Sequence, residues 1–135
     1  MEAHELGDIR YSIDHDKRIL YAERHDNLNK SRVYAEWKAM QQLDGFDPAY
    51  DTLVDYSAVT SVELDYDAVR ELNCEMPHRD PRTGNIAIVS GLTPGRYLLA
   101  RFFCLISNLL MKRKHQVFHN SEQAEAWLLD QRNPV

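Results

Sequence analysis

With 135 residues, of which 44% are hydrophobic and 27% charged, the chain has the size and composition of one globular domain with a single core. A formal net charge of −5 disfavours a general nucleic-acid binder, which needs a basic face to neutralise phosphates. The two cysteines, Cys74 and Cys104, both lie in apolar helical patterns and read as buried free thiols of a reducing compartment rather than as a disulfide. Met1 to Glu5 holds neither a basic region nor an apolar run, so no signal peptide is expected. The longest apolar stretch, Tyr97 to Met111, is interrupted by Arg101, Ser107 and Asn108 and is too short and too polar to span a bilayer. A cytoplasmic protein is the expectation.

In chain order, Ile9, Tyr11 and Ile13 alternate with Arg10, Ser12 and Asp14, the period-two pattern of a half-buried strand. Turn-prone residues at 14–17 lead to a second strand over Ile19 to Ala22, and the tight connection predicts an antiparallel hairpin. Asn27 or Asn29 then offers an N-cap for a helix carrying Val33, Trp37, Met40 and Leu43, with Gly45 as its stop. A buried strand over Thr52 to Tyr56 follows, then a short Ser/Thr turn, then a helix from about Asp65 to Met76 that Pro77 ends. Residues 77–84 read as a loop. Ile86 to Val89 is a strand buried on both faces. Thr93 and Pro94 start the next helix, and Lys112-Arg113-Lys114 close it, where cations complement the dipole. Gln116 to Phe118 forms a last strand. Asn120 with Gln123 resembles a capping box for a terminal helix burying Ala124, Trp127 and Leu128. The predicted order is β-β-α-β-α-β-α-β-α, a single mixed α/β domain in which the later strands run largely parallel.

This arrangement resembles the SpoIIAA-like family, within the STAS group of anti-sigma-factor-antagonist domains. The matching parts are the opening hairpin, the strand and turn Leu53 to Thr60, and the closing segment from Val117-Phe118 through Glu125 to Leu128. The resemblance runs from about Ile9 to Leu129 and rests more on hydrophobic spacing than on invariant chemistry. It implies a four- to five-stranded mixed sheet packed with about four helices, and a binding or regulatory role without catalysis or cofactor. Phospho-regulated members carry a Ser or Thr at the start of the second helix. This chain has Glu63-Leu64-Asp65-Tyr66 there, so the phosphoacceptor is expected to be missing, with Asp65 an ordinary helix cap.

Several residues are candidates for function. Wound at helical pitch, Leu98, Leu99, Phe102, Phe103, Leu105, Ile106, Leu109 and Leu110 share one wide arc, with Arg101, Asn108 and Lys112 in a polar stripe. That arc reads as core that also covers a homodimer interface. The alternative is a helix that docks on a membrane or an apolar ligand, helped by Lys112-Arg113-Lys114. Gly91 to Arg96 has the composition of an anion-binding helix start but lacks a phosphate loop's spacing, so it reads as a capped helix. The six histidines (His4, His15, His25, His78, His115, His119) are scattered and read as solvated rather than metal ligands. No Cys–His nucleophile is expected from thiols in apolar patterns. The loop residues His78, Arg79, Asp80 and Arg82 fit a solvated connection and a recognition surface equally. Asp55, in an apolar strand, reads as a cap on the amides of Ser57 or Ala58; the other reading is a ligand-facing acid at the carboxyl edge of a parallel sheet.

No acid, base and nucleophile converge in this pattern, so no catalytic, cofactor or metal residue is assigned. The expectation is a regulatory module that binds an unidentified protein partner through Ser57, Thr60, Ser61, Glu63 and Asp65, on a surface reaching Glu75, with the helix at 97–113 as a second candidate surface. The rival is a carrier or sensor of a lipid or other small apolar molecule, using Leu98, Arg101, Phe102, Leu105, Leu109 and Lys112. Circular dichroism and vesicle binding of Phe102→Asp and Leu109→Asp separate the two. The core reading predicts that both substitutions unfold the domain. A folded variant that has lost vesicle or ligand binding would favour the carrier.

Overall fold

The computed structural model describes residues 4–6, 9–40, 42–43, 45, 47, 49–63, 65–75, 84–90, 101 and 115–132. The alternating apolar residues at the start of the chain form β2 (Ile9–Asp14), preceded by a short β1 (His4–Leu6). Asp14 Oδ1 then accepts the amides of Asp16 and Lys17, both at 3.0 Å, and Arg18 takes a left-handed φ of 57°. This turns the chain into β3 (Ile19–Asn29), as the predicted hairpin requires. Helix α1 (Lys30–Met40), β4 (Asp51–Glu63), α2 (Tyr66–Glu75), β5 (Ile86–Val89), β6 (His115–Phe118) and α3 (Ser121–Arg132) follow.

The six strands among the described residues lie in chain order in one sheet, antiparallel through β1, β2 and β3 and parallel from β3 to β6. The mixed sheet with an N-terminal hairpin is therefore as the sequence predicts. Strand β1 is an addition, because three residues give no alternation to read.

Three other expectations change. Strand β3 does not stop at Ala22, and the stretch Ser57 to Ser61 is not a turn: both belong to long strands paired with each other as far as Asn29 and Glu63. The reason lies in two bulges on β4, where Glu23 and His25 face Asp55 and Ala58, and Asp26 and Asn27 face Val59 and Ser61. Each inserts an extra β4 residue and resets which side chains share a face. Tyr56 and Val59 thereby meet in one apolar cluster with Leu28, Val33 and Tyr34, at a spacing of three that no regular strand allows. Helix α1 also ends earlier than predicted, at Met40, with a tighter turn from Gln42 N to Ala39 O at 3.1 Å. Asn29 caps its start through Arg32 N at 3.0 Å. Gly45 lies beyond the helix in a turn, with φ 82°.

The two faces of the sheet bury different cores. One packs Ile19, Leu53, Ala87 and Val89 under Ala124 and Leu128 of α3, with the Phe118 and Trp127 rings 5.6 Å apart at its side. The other carries Ile9, Leu20 and Ala22 with Leu43, then Ile88 with Val117. Helix α1 covers the outer part of that second face through Val33 and touches α2, where Lys30 Nζ lies 2.6 Å from Glu71.

Strand β4 is anchored at its first residue. The buried Asp51 accepts the Asn85 amide at 2.8 Å through Oδ1 and the Arg132 guanidinium at 2.9 and 2.7 Å through Oδ2. The same guanidinium donates to the carbonyls of Lys17 and Arg18. Gly84 passes so close that an added Cβ would lie 2.2 Å from the Tyr50 carbonyl oxygen. Asp51→Ala should therefore cost about 2–4 kcal/mol, somewhat below a fully buried pair because the Arg132 side chain is partly wet. Gly84→Ala should cost about 1–3 kcal/mol through overpacking against backbone. Urea midpoints at unchanged slope would measure both.

Candidate functional site

The residues predicted to meet a partner lie along the outer half of β4 and the start of α2. Ser57, Thr60, Ser61 and Glu63 are exposed strand residues, and Asp65 stands exposed before the helix. Asp65 Oδ1 accepts the Ala68 amide at 2.8 Å, so Asp65 is the N-cap of α2, as the sequence suggests. Glu63 accepts Asn27 Nδ2 at 2.9 Å, which fastens the end of β4 to β3. Tyr66, the first residue of α2, is 51% exposed and is the large hydrophobic side chain that projects most from the described surface.

Asp55 is half-buried at the last position where β4 pairs with β5, and its Oδ1 accepts the Ser57 amide at 2.8 Å. The capping role read from the sequence is present. The same residue also lines a groove of about 340 Å³ with Arg10, Tyr11, Ser12, Tyr21, Ala22, Glu23, Leu53 and Ser121. The register accounts for the side chains of one face in that lining, while Tyr11 and Ala22 belong to the opposite face. Arg10 stands opposite Glu23, and Glu23 opposite Asp55, while Ser12, Tyr21 and Leu53 form the next row of the same face. Ser121, the first residue of α3, closes one end. Arg10 and Glu23 were not singled out in the sequence, where Arg10 is a polar member of an alternating strand and Glu23 falls just past the second predicted strand. The hairpin register pairs them with each other, and the β3–β4 register sets Asp55 beside Glu23.

Beside the groove, Tyr21 and Lys17 donate to the same oxygen of Glu125, at 2.8 and 2.7 Å. The hydrogen bond from Lys17, with that from Tyr21, holds the Glu125 carboxyl below the usual glutamate range. Burial, then the bond to Glu125, pushes the Tyr21 phenol far above its ordinary value. The bond to Glu125 raises the Lys17 ammonium as well.

The other candidates are dispersed. His115 is buried in β6, against the expectation of a solvated ring, because its position faces the apolar side shared with Ile86 and Val117. His119 is exposed past the strand end, and His15 is exposed with its Nδ1 3.0 Å from the Tyr50 hydroxyl. No group of three or more His, Cys, Asp or Glu among the described residues is placed to hold a metal. Of the predicted apolar helix, Arg101 is described, as an exposed helical residue. Leu98, Phe102, Leu105, Leu109 and Lys112 lie outside the described residues, as do the Gly91–Arg96 stretch, His78 to Arg82 and Cys104. Among the described residues no helix is long and apolar enough to cross a membrane.

No protein-family model matches the chain, and no curated protein matches its sequence. A similar solved structure is that of an uncharacterised protein of the DUF3478 family with a SpoIIAA-like fold, from Shewanella loihica. The TM-score is 0.58 at 16% identity, with 95% of this chain and 99% of that chain covered. The chain thus has a SpoIIAA-like fold, the one that its sequence resembles.

The Lys17–Tyr21–Glu125 cluster makes the pH dependence of stability predictable. Because the folded Glu125 carboxyl titrates below its unfolded value, its contribution is full above the ordinary glutamate range and is lost as pH falls through the folded value. Tyr21 and Lys17 bind their protons more tightly when folded, so their contribution holds to about pH 10 and declines above it. Glu125→Gln should flatten both ends of a curve of urea midpoint against pH. Tyr21→Phe should flatten mainly the alkaline end, since Lys17 still pairs with Glu125.

Proposed function

We propose that this chain is a non-enzymatic, STAS-like regulatory module of the cytoplasm that works by binding another protein. The contact surface is the outer half of β4 with the start of α2. The observation that carries this reading is the continuity of exposed groups there: Ser57, Thr60, Ser61 and Glu63 lead along the strand to Asp65 and Tyr66. A half-exposed tyrosine that follows exposed hydroxyl and carboxylate residues in the chain has the make-up of an interface anchor, an amphipathic ring in a polar setting. Asp65 and Asp67 beside it select a partner with Lys or Arg around an apolar pocket. The SpoIIAA-like fold supports a binding role, and the helix cap at Asp65 supports regulation by something other than a phosphoserine at that position.

The test is capture of partners from the native host's lysate with wild type, Tyr66→Ala, Ser61→Arg and a control, Glu122→Lys, on exposed α3. A stoichiometric partner should bind wild type and the control, and both surface variants should weaken it by about tenfold or more at unchanged melting temperature. A protein that holds no partner but turns over a metabolite would overturn the reading.

A further inference from the structure

Among the described residues, the groove between the first turn of α3 and strands β2, β3 and β4 carries side-chain charges with no ion-pair partner. Arg10, Glu23 and Asp55 form one row across β2, β3 and β4, with neighbouring strands about 4.8 Å apart. Arg10 stands directly opposite Glu23, where an opposite-charge pair ordinarily forms. Yet among the described residues neither side chain makes a hydrogen bond or ion pair, and the Asp55 carboxylate engages only Oδ1, on the Ser57 amide. The adjoining row supplies a hydroxyl, an aromatic ring and an isobutyl group from Ser12, Tyr21 and Leu53. The volume, about 340 Å³, is at the small end of ligand pockets, which run to ~1,000 Å³.

This combination narrows the ligand. An inorganic anion would gain Arg10 but face two carboxylates. A bare cation would gain the carboxylates but face Arg10. A simple apolar molecule would leave all three charges to be desolvated without compensation. With one guanidinium against two carboxylates the row carries one negative charge in excess, so the complement has one carboxylate, two cationic groups and an apolar stem. We infer that the groove binds a free basic amino acid. Its carboxylate pairs with the Arg10 guanidinium, its two cationic groups lie against Glu23 and Asp55, and its methylene stem crosses Tyr21 and Leu53. The site is distinct from the partner surface, and its test does not depend on that surface.

The full chain, labelled with ¹⁵N, is titrated with L-lysine, with cadaverine, which has the same stem and both amines but no carboxylate, and with 6-aminohexanoate, which lacks the α-ammonium. Amide shifts should saturate with lysine and centre on Arg10, Glu23 and Asp55, and each truncated probe should bind about tenfold more weakly. Arg10→Gln should abolish the preference for lysine over cadaverine without weakening cadaverine. Glu23→Gln and Asp55→Asn should weaken both amines, and Asp55→Asn retains an oxygen for the Ser57 amide. Because Arg10 and Glu23 are exposed, their variants keep the fold, which the same spectra report. Shifts that never saturate, shifts centred elsewhere, or equal affinity of lysine and cadaverine in wild type would each overturn the assignment.

Discussion

The Arg132 guanidinium is the point at which separate parts of this chain are held in register. It comes from the last residue of α3, reaches the buried carboxylate that opens β4, and also takes the two carbonyls that end the β2–β3 turn. Asp51 N donates to the same Arg18 carbonyl at 3.1 Å, so Ile19 and Asp51 start the parallel pairing side by side. That start decides everything counted from it. Two residues on, Tyr21 stands beside Leu53; four on, Glu23 stands beside Asp55. A slip of one residue would move each of these side chains to the opposite face and dissolve the groove. The energetic return of a pair like Asp51–Arg132 is offset by desolvation, and what it supplies most clearly is one register out of several.

The long β3–β4 pairing beyond that start depends on irregularity. A strand with strict alternation would turn either Tyr56 or Val59 away from α1. The bulges let β4 present both to Leu28 and Val33 while Ser57, Thr60 and Ser61 remain exposed. The same device that closes the second core therefore frees the polar residues that make up the proposed contact surface.

These two features also set how much was legible in the sequence. Elements with clean periodicity were readable: Ile9, Tyr11 and Ile13 as a strand, Ile86 to Val89 as a buried strand, and Asn120 with Ala124 and Leu128 as a capped terminal helix, with Gln123 N 2.9 Å from Asn120 Oδ1. The capping of Ser57 by Asp55 was readable too, because it is local. The continuation of β4 was not. Tyr56 and Val59, three apart and separated by Ser57 and Ala58, look like a turn entering a helix, and only pairing with β3 shows them to be bulged strand. Arg10 and Glu23 failed for a different reason: Arg10 is unremarkable on its strand, Glu23 lies past the predicted end of the next, and their meeting depends on a turn geometry fixed by Asp14 and the left-handed Arg18. Long-range ion pairs such as Asp51–Arg132 leave no local trace at all.

Asp55 stands where both lines of the structure cross. One oxygen holds the Ser57 amide at the first bulge, which sets where the exposed half of β4 begins, while the residue itself lines the groove. The hydrogen bond to Ser57 draws its strength from the carboxylate's negative charge, because charge-assisted bonds exceed neutral ones about twofold. A positive group in the groove would share that same charge. The polar row and the proposed protein-binding surface are thus joined through a single side chain rather than through a chain of packed contacts.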